Sequence, residues 1–110
     1  MRYFNTFILL LFTLILTSFN SNCYSQYKLK TIVIDAGHGG KDPGSIGKNS
    51  YEKNITLPIS LELGRIIEEN LPGIKIIYTR KDDSFPSLYK RAKIANKNNA
   101  DLFISIHCDS

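Results

Sequence analysis

Apolar and polar positions along the chain alternate between two patterns: short β-branched runs, and longer stretches where apolar residues recur every three or four places. Residues 31–35, Thr-Ile-Val-Ile-Asp, are the first β-branched run and predict a buried strand. Ile55, Ile59, Leu63, Ile66 and Ile67 then recur at helical spacing and predict a helix with one buried stripe. Asn54 is its expected N-cap, Pro58 falls early enough to be tolerated, and Pro72-Gly73 ends it near Asn70. Residues 74–79 predict a second strand, and residues 80–86 form a charged loop. Ser87 is placed to cap a second helix running to about Asn98, with Leu88, Ala92, Ile94 and Ala95 as its apolar content. Residues 102–106 predict a third strand. Near-continuous apolar strands joined by helices imply an α/β fold: a parallel or mostly parallel sheet, helices on both faces, right-handed crossovers. In such sheets ligands bind beyond the carboxyl ends of the strands. Chemistry is therefore expected after Asp35, after Thr79 and after Ile106.

The first 25 residues read differently. Met1-Arg2 is a short positive start, residues 7–16 are apolar except for Thr13, and a polar stretch, residues 17–22, follows. This is the layout of a secretory signal. The run is shorter than the roughly 20 residues a bilayer-spanning helix needs. Cys23 and Ser25 are small residues at the −3 and −1 positions of a cleavage after Ser25, so residues 1–25 are expected to be a signal peptide and 26–110 the mature portion. A lipid-modified Cys23 is the other reading, poorly matched by Asn22 before it. No membrane span is expected after cleavage, and the protein is expected to be exported.

Composition narrows little beyond this. The chain of 110 residues holds at most one domain, and loss of residues 1–25 leaves 85, enough for a marginal core. The net charge of +4 becomes +3 when Arg2 departs, 13 basic against 10 acidic residues. Such an excess suits an acidic polymer, wall glycan or nucleic acid, without choosing between them, and also suits ordinary surface lysines. Cys108 is the lone cysteine of the mature portion, which has no internal disulfide available. It reads as a small apolar filler, or as a metal ligand or reactive thiol if a metal lies near.

Both histidines of the chain fall just past a predicted strand: His38 after the first and His107 after the third. Hydrolytic zinc sites commonly take three protein ligands and leave the fourth position to water; two His and one Glu is one such set. Glu52, between the glycine-rich loop and the first helix, is the natural third donor, or else a complement to the positive end of that helix. Five of the twelve residues 36–47 are glycine. That richness suggests phosphate binding, but Gly37-His38-Gly39-Gly40 matches neither the dinucleotide nor the P-loop pattern. A Ser–His pair through Ser45 or Ser105 is a further reading, weakened because Ser105 sits in mid-strand.

Three ordered motifs resemble one family, the zinc-dependent N-acetylmuramoyl-L-alanine amidases. Residues 34–47, Ile-Asp-Ala-Gly-His-Gly-Gly-Lys-Asp-Pro-Gly-Ser-Ile-Gly, are similar to its opening motif; residues 52–57, Glu-Lys-Asn-Ile-Thr-Leu, to its second; Arg91, Ala95-Asn96 and residues 100–107 to its third. The resemblance covers residues 31 to 110. It implies that His38, Glu52 and His107 bind one zinc ion. It also implies a peptidoglycan substrate, not nucleic acid: the amide joining N-acetylmuramic acid to the first L-alanine of the stem peptide, cut by a zinc-activated water. A periplasmic or extracellular, wall-associated location follows from the same likeness, as does the prospect of a regulatory partner, unidentified. The family's general base is a glutamate on a later strand, which no residue here matches, so the catalytic base is expected beyond Ser110 and the chain reads as the βαβαβ portion of a longer domain. Asp42 and Asp109 are nearby carboxylates to which the family pattern assigns no role. Cys108 stands where the family has a small residue. Asp35 is a candidate to support a ligating histidine from behind, or a structural strand-end residue, and Arg91 reads as a packing and hydrogen-bonding residue. Two alternatives accompany the amidase reading: a non-catalytic remnant that binds wall material, and a zinc peptidase acting on another wall amide.

Overall fold

The computed structural model describes Met1, Phe4 and residues 28–108. Apart from Met1 and Phe4 the expected signal lies outside those residues, with Cys23 and Ser25, and so does Asp109. Five elements follow in the expected order: β1 (Thr31–Ala36), α1 (Glu52–Asn70), β2 (Lys75–Tyr78), α2 (Leu88–Lys97) and β3 (Leu102–Ile106). The three strands form one parallel sheet in the order β2-β1-β3. Ile34 lies in register with Tyr78 on one side and Ile104 on the other. With partners on both edges and a helix over each face, β1 is buried from Ile32 to Ala36.

The two faces separate by strand alternation. Tyr78, level with Ile34, lies against Gly64 of α1. Asp35, one residue on, points the other way and meets Arg91 of α2. From β1 the chain crosses one way to β2, then back over β1 to β3. The order therefore reverses beside β1, and the crevice between the ends of β1 and β3 is the place where open α/β sheets bind ligands.

Two details depart from the sequence expectation. The stripe Ile55, Ile59 and Ile66 is not buried: these side chains are 41%, 50% and 44% exposed, and Leu63 and Ile67 are half-buried. The buried face of α1 is Glu52, Thr56, Ser60 and Gly64, four residues apart. The Thr56 hydroxyl donates to the Gly37 carbonyl (2.9 Å) and that of Ser60 to the Thr56 carbonyl (2.7 Å). Gly64 admits the Tyr78 ring. The close approach demands small residues, so size rather than apolarity selects the docking face. On α2, likewise, Arg91 is the buried residue while Leu88 is 84% exposed and Ala92 is exposed.

The start of α1 also moves, from Asn54 as cap to Glu52 as first residue, with Tyr51 at the cap position and no side-chain cap. The glycine-rich loop supplies the missing acceptors. The Glu52 amide donates to Ser45 O (3.0 Å) and the Lys53 amide to Pro43 O (3.1 Å). Ser87 does cap α2, accepting from the Lys90 amide at 3.3 Å.

Candidate metal centre

Each of the three expected donors arrives on a separate piece of the fold. His38 follows β1 in the left-handed region, φ 61°. Gly39 and Asp42 exchange backbone hydrogen bonds just beyond it (2.9 and 3.0 Å), closing the loop back on itself. Glu52 opens α1, and His107 follows β3. One ligand atom from each of His38, Glu52 and His107 lies within 4.8 Å of the others, and this is the one such group of three among the described residues. Cys108 is not in it.

Glu52 is the hub. Its side chain is 3% exposed. Oε2 accepts from the Ser45 amide (2.9 Å) and lies 3.1 Å from His38 Nε2. Oε1 accepts from the Cys108 amide (2.8 Å) and lies 3.0 Å from His107 Nδ1. Burial disfavours its charge, but the Ser45 and Cys108 amides and the hydrogen bond with His107 outweigh that and hold the carboxyl at about 2. Glu52 thus does more than complement the helix end: its amide partners reach it from the loop and from the end of β3.

A carboxylate behind His38 is also present, and it is Asp42. Its Oδ2 lies 2.8 Å from His38 Nδ1, and that hydrogen bond, then the Gly44 amide, lowers the Asp42 pKa. An ionised carboxylate only accepts, so His38 Nδ1 carries the proton and, in the neutral ring, Nε2 presents a lone pair toward Glu52. Two acceptors 3.1 Å apart need a proton or a cation between them. Ligand atoms on one tetrahedral zinc are about 3.3 Å apart, given metal–ligand distances of about 2.0–2.1 Å. The two imidazole–carboxylate spacings, 3.1 and 3.0 Å, and the nitrogen–oxygen donor set suit such an ion, with the three ligand atoms together spread over no more than 4.8 Å. The glycines of the loop are part of that fit. A β-carbon on Gly37 would come 2.5 Å from the His107 ring, and one on Gly44 (φ 68°) 2.5 Å from His38 and 2.6 Å from Glu52 Oε2. The two imidazoles meet edge to face, centroids 4.9 Å apart.

Asp35 sits one layer below. Its Oδ1 accepts from the Thr79 hydroxyl and from Arg91, both at 2.6 Å, and its Oδ2 from the Ser105 hydroxyl at 2.7 Å. Burial opposes the charge, but these three donors lower its pKa. Its link to His38 is indirect, through Arg91. Ser105 is committed to this bond, as a mid-strand serine should be. The sequence reading passed over Arg80, which follows β2 and is buried, and whose pKa burial and then the neighbouring Arg91 lower. An arginine directly past the carboxyl end of a strand was the available signal. A cavity of about 320 Å³ borders His38 and His107, walled also by Asp35, Asp42, Phe85, Leu88 and Arg91. Among the described residues, no helix is long and apolar enough to cross a membrane.

Comparison with known proteins fits this geometry. Residues 32–110 match the family model described as N-acetylmuramoyl-L-alanine amidase. The chain is 49% identical over 82 residues to the probable N-acetylmuramoyl-L-alanine amidase AmiB of Haemophilus influenzae, a match covering 73% of this chain and 19% of that protein. It is 44% identical over 96 residues to the N-acetylmuramoyl-L-alanine amidase AmiA of Escherichia coli, covering 81% of this chain and 32% of the relative. The solved catalytic domain of CwlV, an N-acetylmuramoyl-L-alanine amidase from Bacillus (Paenibacillus) polymyxa var. colistinus, superposes with a TM-score of 0.70 at 41% identity, covering 74% of this chain and 46% of that one. The chain thus spans about a fifth to a half of the length of these relatives.

Proposed function

The chain belongs to the N-acetylmuramoyl-L-alanine amidase family, and from that premise we propose that its protein hydrolyses the amide between N-acetylmuramic acid and the first L-alanine of peptidoglycan stem peptides, with one zinc ion held by His38, Glu52 and His107. The observation that carries the reading is the convergence of these three donors at the crevice where the strand order reverses. When bound, zinc polarises the amide carbonyl and lowers the pKa of a bound water to about 7. The chain's own residues prepare that site. Asp42 holds the proton on His38 Nδ1 and so keeps Nε2 free as a donor atom. The two amides on Glu52 keep it anionic and fix its direction. His107 has a half-exposed side chain and borders the cavity beside His38, where a substrate could reach it. Asp42 is a poor candidate for the general base, since His38 and Gly44 already engage its two oxygens.

Residues 1–25 act in this reading as an export signal that delivers the enzyme to the cell wall. Protein recovered from outside the cytoplasm should begin at Gln26 on N-terminal sequencing; an intact Met1 there would refute the cleavage. The activity is tested on purified muropeptides with the complete protein. Release of peptides beginning with free L-alanine is expected, together with about one zinc per chain that is lost in His38→Ala and in His107→Ala. Undiminished zinc in both variants removes the ligand assignment. Products cut at another amide make the enzyme a peptidase, and sedimentation with wall material without any release makes it a binding protein.

A further inference from the structure

Resting on that metal reading, we propose that Arg80 and Arg91 are positioning residues which together lock the backbone of residues 36–38 and thereby aim His38 at the metal. Three successive carbonyls are involved. Ala36 O accepts from Arg80 Nε (3.0 Å) and from Arg91 Nη1 (2.7 Å). Gly37 O accepts from Arg80 Nη2 (2.8 Å), and His38 O from Arg91 Nη2 (2.7 Å). The guanidiniums come from different places, Arg80 from just past β2 and Arg91 from the middle of α2, and both are buried.

The backbone at this point needs holding. His38 has φ 61°, a region in which an L-residue with a β-carbon is strained. Such a conformation persists only where the surroundings over-determine it, and it gathers at functional sites. A planar guanidinium presents donors in a fixed fork, so it can bind two adjacent carbonyls and set the angle between them; an ammonium cannot. Asp42 orients the ring of His38 from the side-chain end. The two arginines fix the main chain from which that side chain projects.

Charge alone predicts the opposite of what geometry predicts. Arg91 pairs with Asp35 at 2.6 Å, whereas among the described residues no carboxylate pairs directly with Arg80. Two buried cations and one anion leave a net positive charge beneath a site meant for a dication. By Coulomb repulsion, removing either arginine should tighten metal binding; by loss of position it should weaken it. Arg80→Lys and Arg91→Lys keep the charge and lose the fork, while Arg80→Met loses both.

The test is the dissociation constant for Co²⁺, by chelator competition, of the complete protein and these three variants. Thermal unfolding of the metal-free forms is followed in parallel, and measurements are made well below their transitions. Weakening by about 10- to 100-fold in both lysine variants and in Arg80→Met is expected, with cobalt absorption bands altered from those of the parent. Unchanged affinity with a lowered unfolding temperature would show that the arginines serve stability only, and tighter binding in Arg80→Met would show that charge rules; either overturns the proposal. His38→Ala is the control. If the parent binds no cobalt, or binds it equally well in His38→Ala, the metal reading itself fails and the positioning proposal goes with it. If either lysine variant is unfolded, the same measurement on Arg80→Gln, which loses both the fork and the positive charge, must still show weakened cobalt binding; unchanged or tighter binding overturns the proposal equally.

Discussion

At the scale of single residues, Glu52 shows how an anion is kept in a buried place. Two backbone amides and two imidazoles surround it. Its pKa falls from 4.5 in the unfolded chain to about 2 in the folded one. A carboxyl with a depressed folded pKa contributes stability that is fully present above the unfolded value and is lost as pH falls toward the folded one. Metal-free protein should therefore lose this contribution between about pH 4.5 and pH 2, and Glu52→Gln should lack that limb. Denaturant titrations across this range check it; superimposable profiles of parent and variant would count against the burial and hydrogen bonding described. That His38, Glu52 and His107 meet was legible in the sequence, because they fall at strand and helix ends where chemistry collects. Asp42 was visible as a carboxylate near the site, but its role was not: only the reversal of the loop at residues 39–42 brings its oxygen onto His38. Arg80 was hidden for a related reason, since nothing in a charged loop says which arginine turns inward.

Helices and strands tell a different story. The strand runs at residues 31–35, 74–79 and 102–106 correspond to β1, β2 and β3 within a residue at each end. β-branched apolar runs with both faces covered leave little else for a chain to do. The α1 expectation kept its C-terminal end and lost its orientation. Apolar periodicity marks a stripe, but the sheet took the side carrying Thr56, Ser60 and Gly64. Gly64 lies against the Tyr78 ring, where an added β-carbon would overlap the phenol oxygen. Gly64→Ala should therefore cost about 1–3 kcal/mol through overpacking, against the gain of up to about 1 kcal/mol that alanine brings to a helix. Chemical denaturation measures the balance, and Tyr78→Phe in the same chain should recover part of the loss. A Gly64→Ala protein more stable than its parent would mean that α1 stands further from the sheet.

On the scale of the whole molecule, the site is a junction. Its donors come from the ends of β1 and β3 and from the start of α1, so an ion there joins three pieces of chain that otherwise meet through hydrogen bonds. A ligand that binds only the folded state stabilises it by about 2.7 kcal/mol at a hundred times its dissociation constant. That corresponds to a rise of at least about 5 °C in Tm. Calorimetry with zinc and with a chelator should show that gap in the parent and close it in His107→Ala; an equal gap in both would place the ion elsewhere. The same junction could be anticipated from topology, given the strand, helix, strand, helix, strand order and both histidines past strand ends. What topology could not supply is how the ends are braced: Asp35 ties β1 to Thr79 after β2, to Ser105 in β3 and to Arg91 in α2.

The central place of β1 has a consequence in time. It is made before either of its neighbours, yet both of its edges depend on them: Ile32 pairs with Ile76 on one side and with Leu102, 70 positions later, on the other. A ribosome or an export channel delivers the chain from its N-terminus, so this strand emerges with two open edges and keeps one open until β3 follows. His107 comes directly behind β3, so the three donors cannot meet before β1 is paired on both edges: the arrival of the last donor and the covering of the second edge of β1 are one event. Metal uptake during refolding, if the three donors hold an ion as proposed, should lag strand β2 and keep pace with β3.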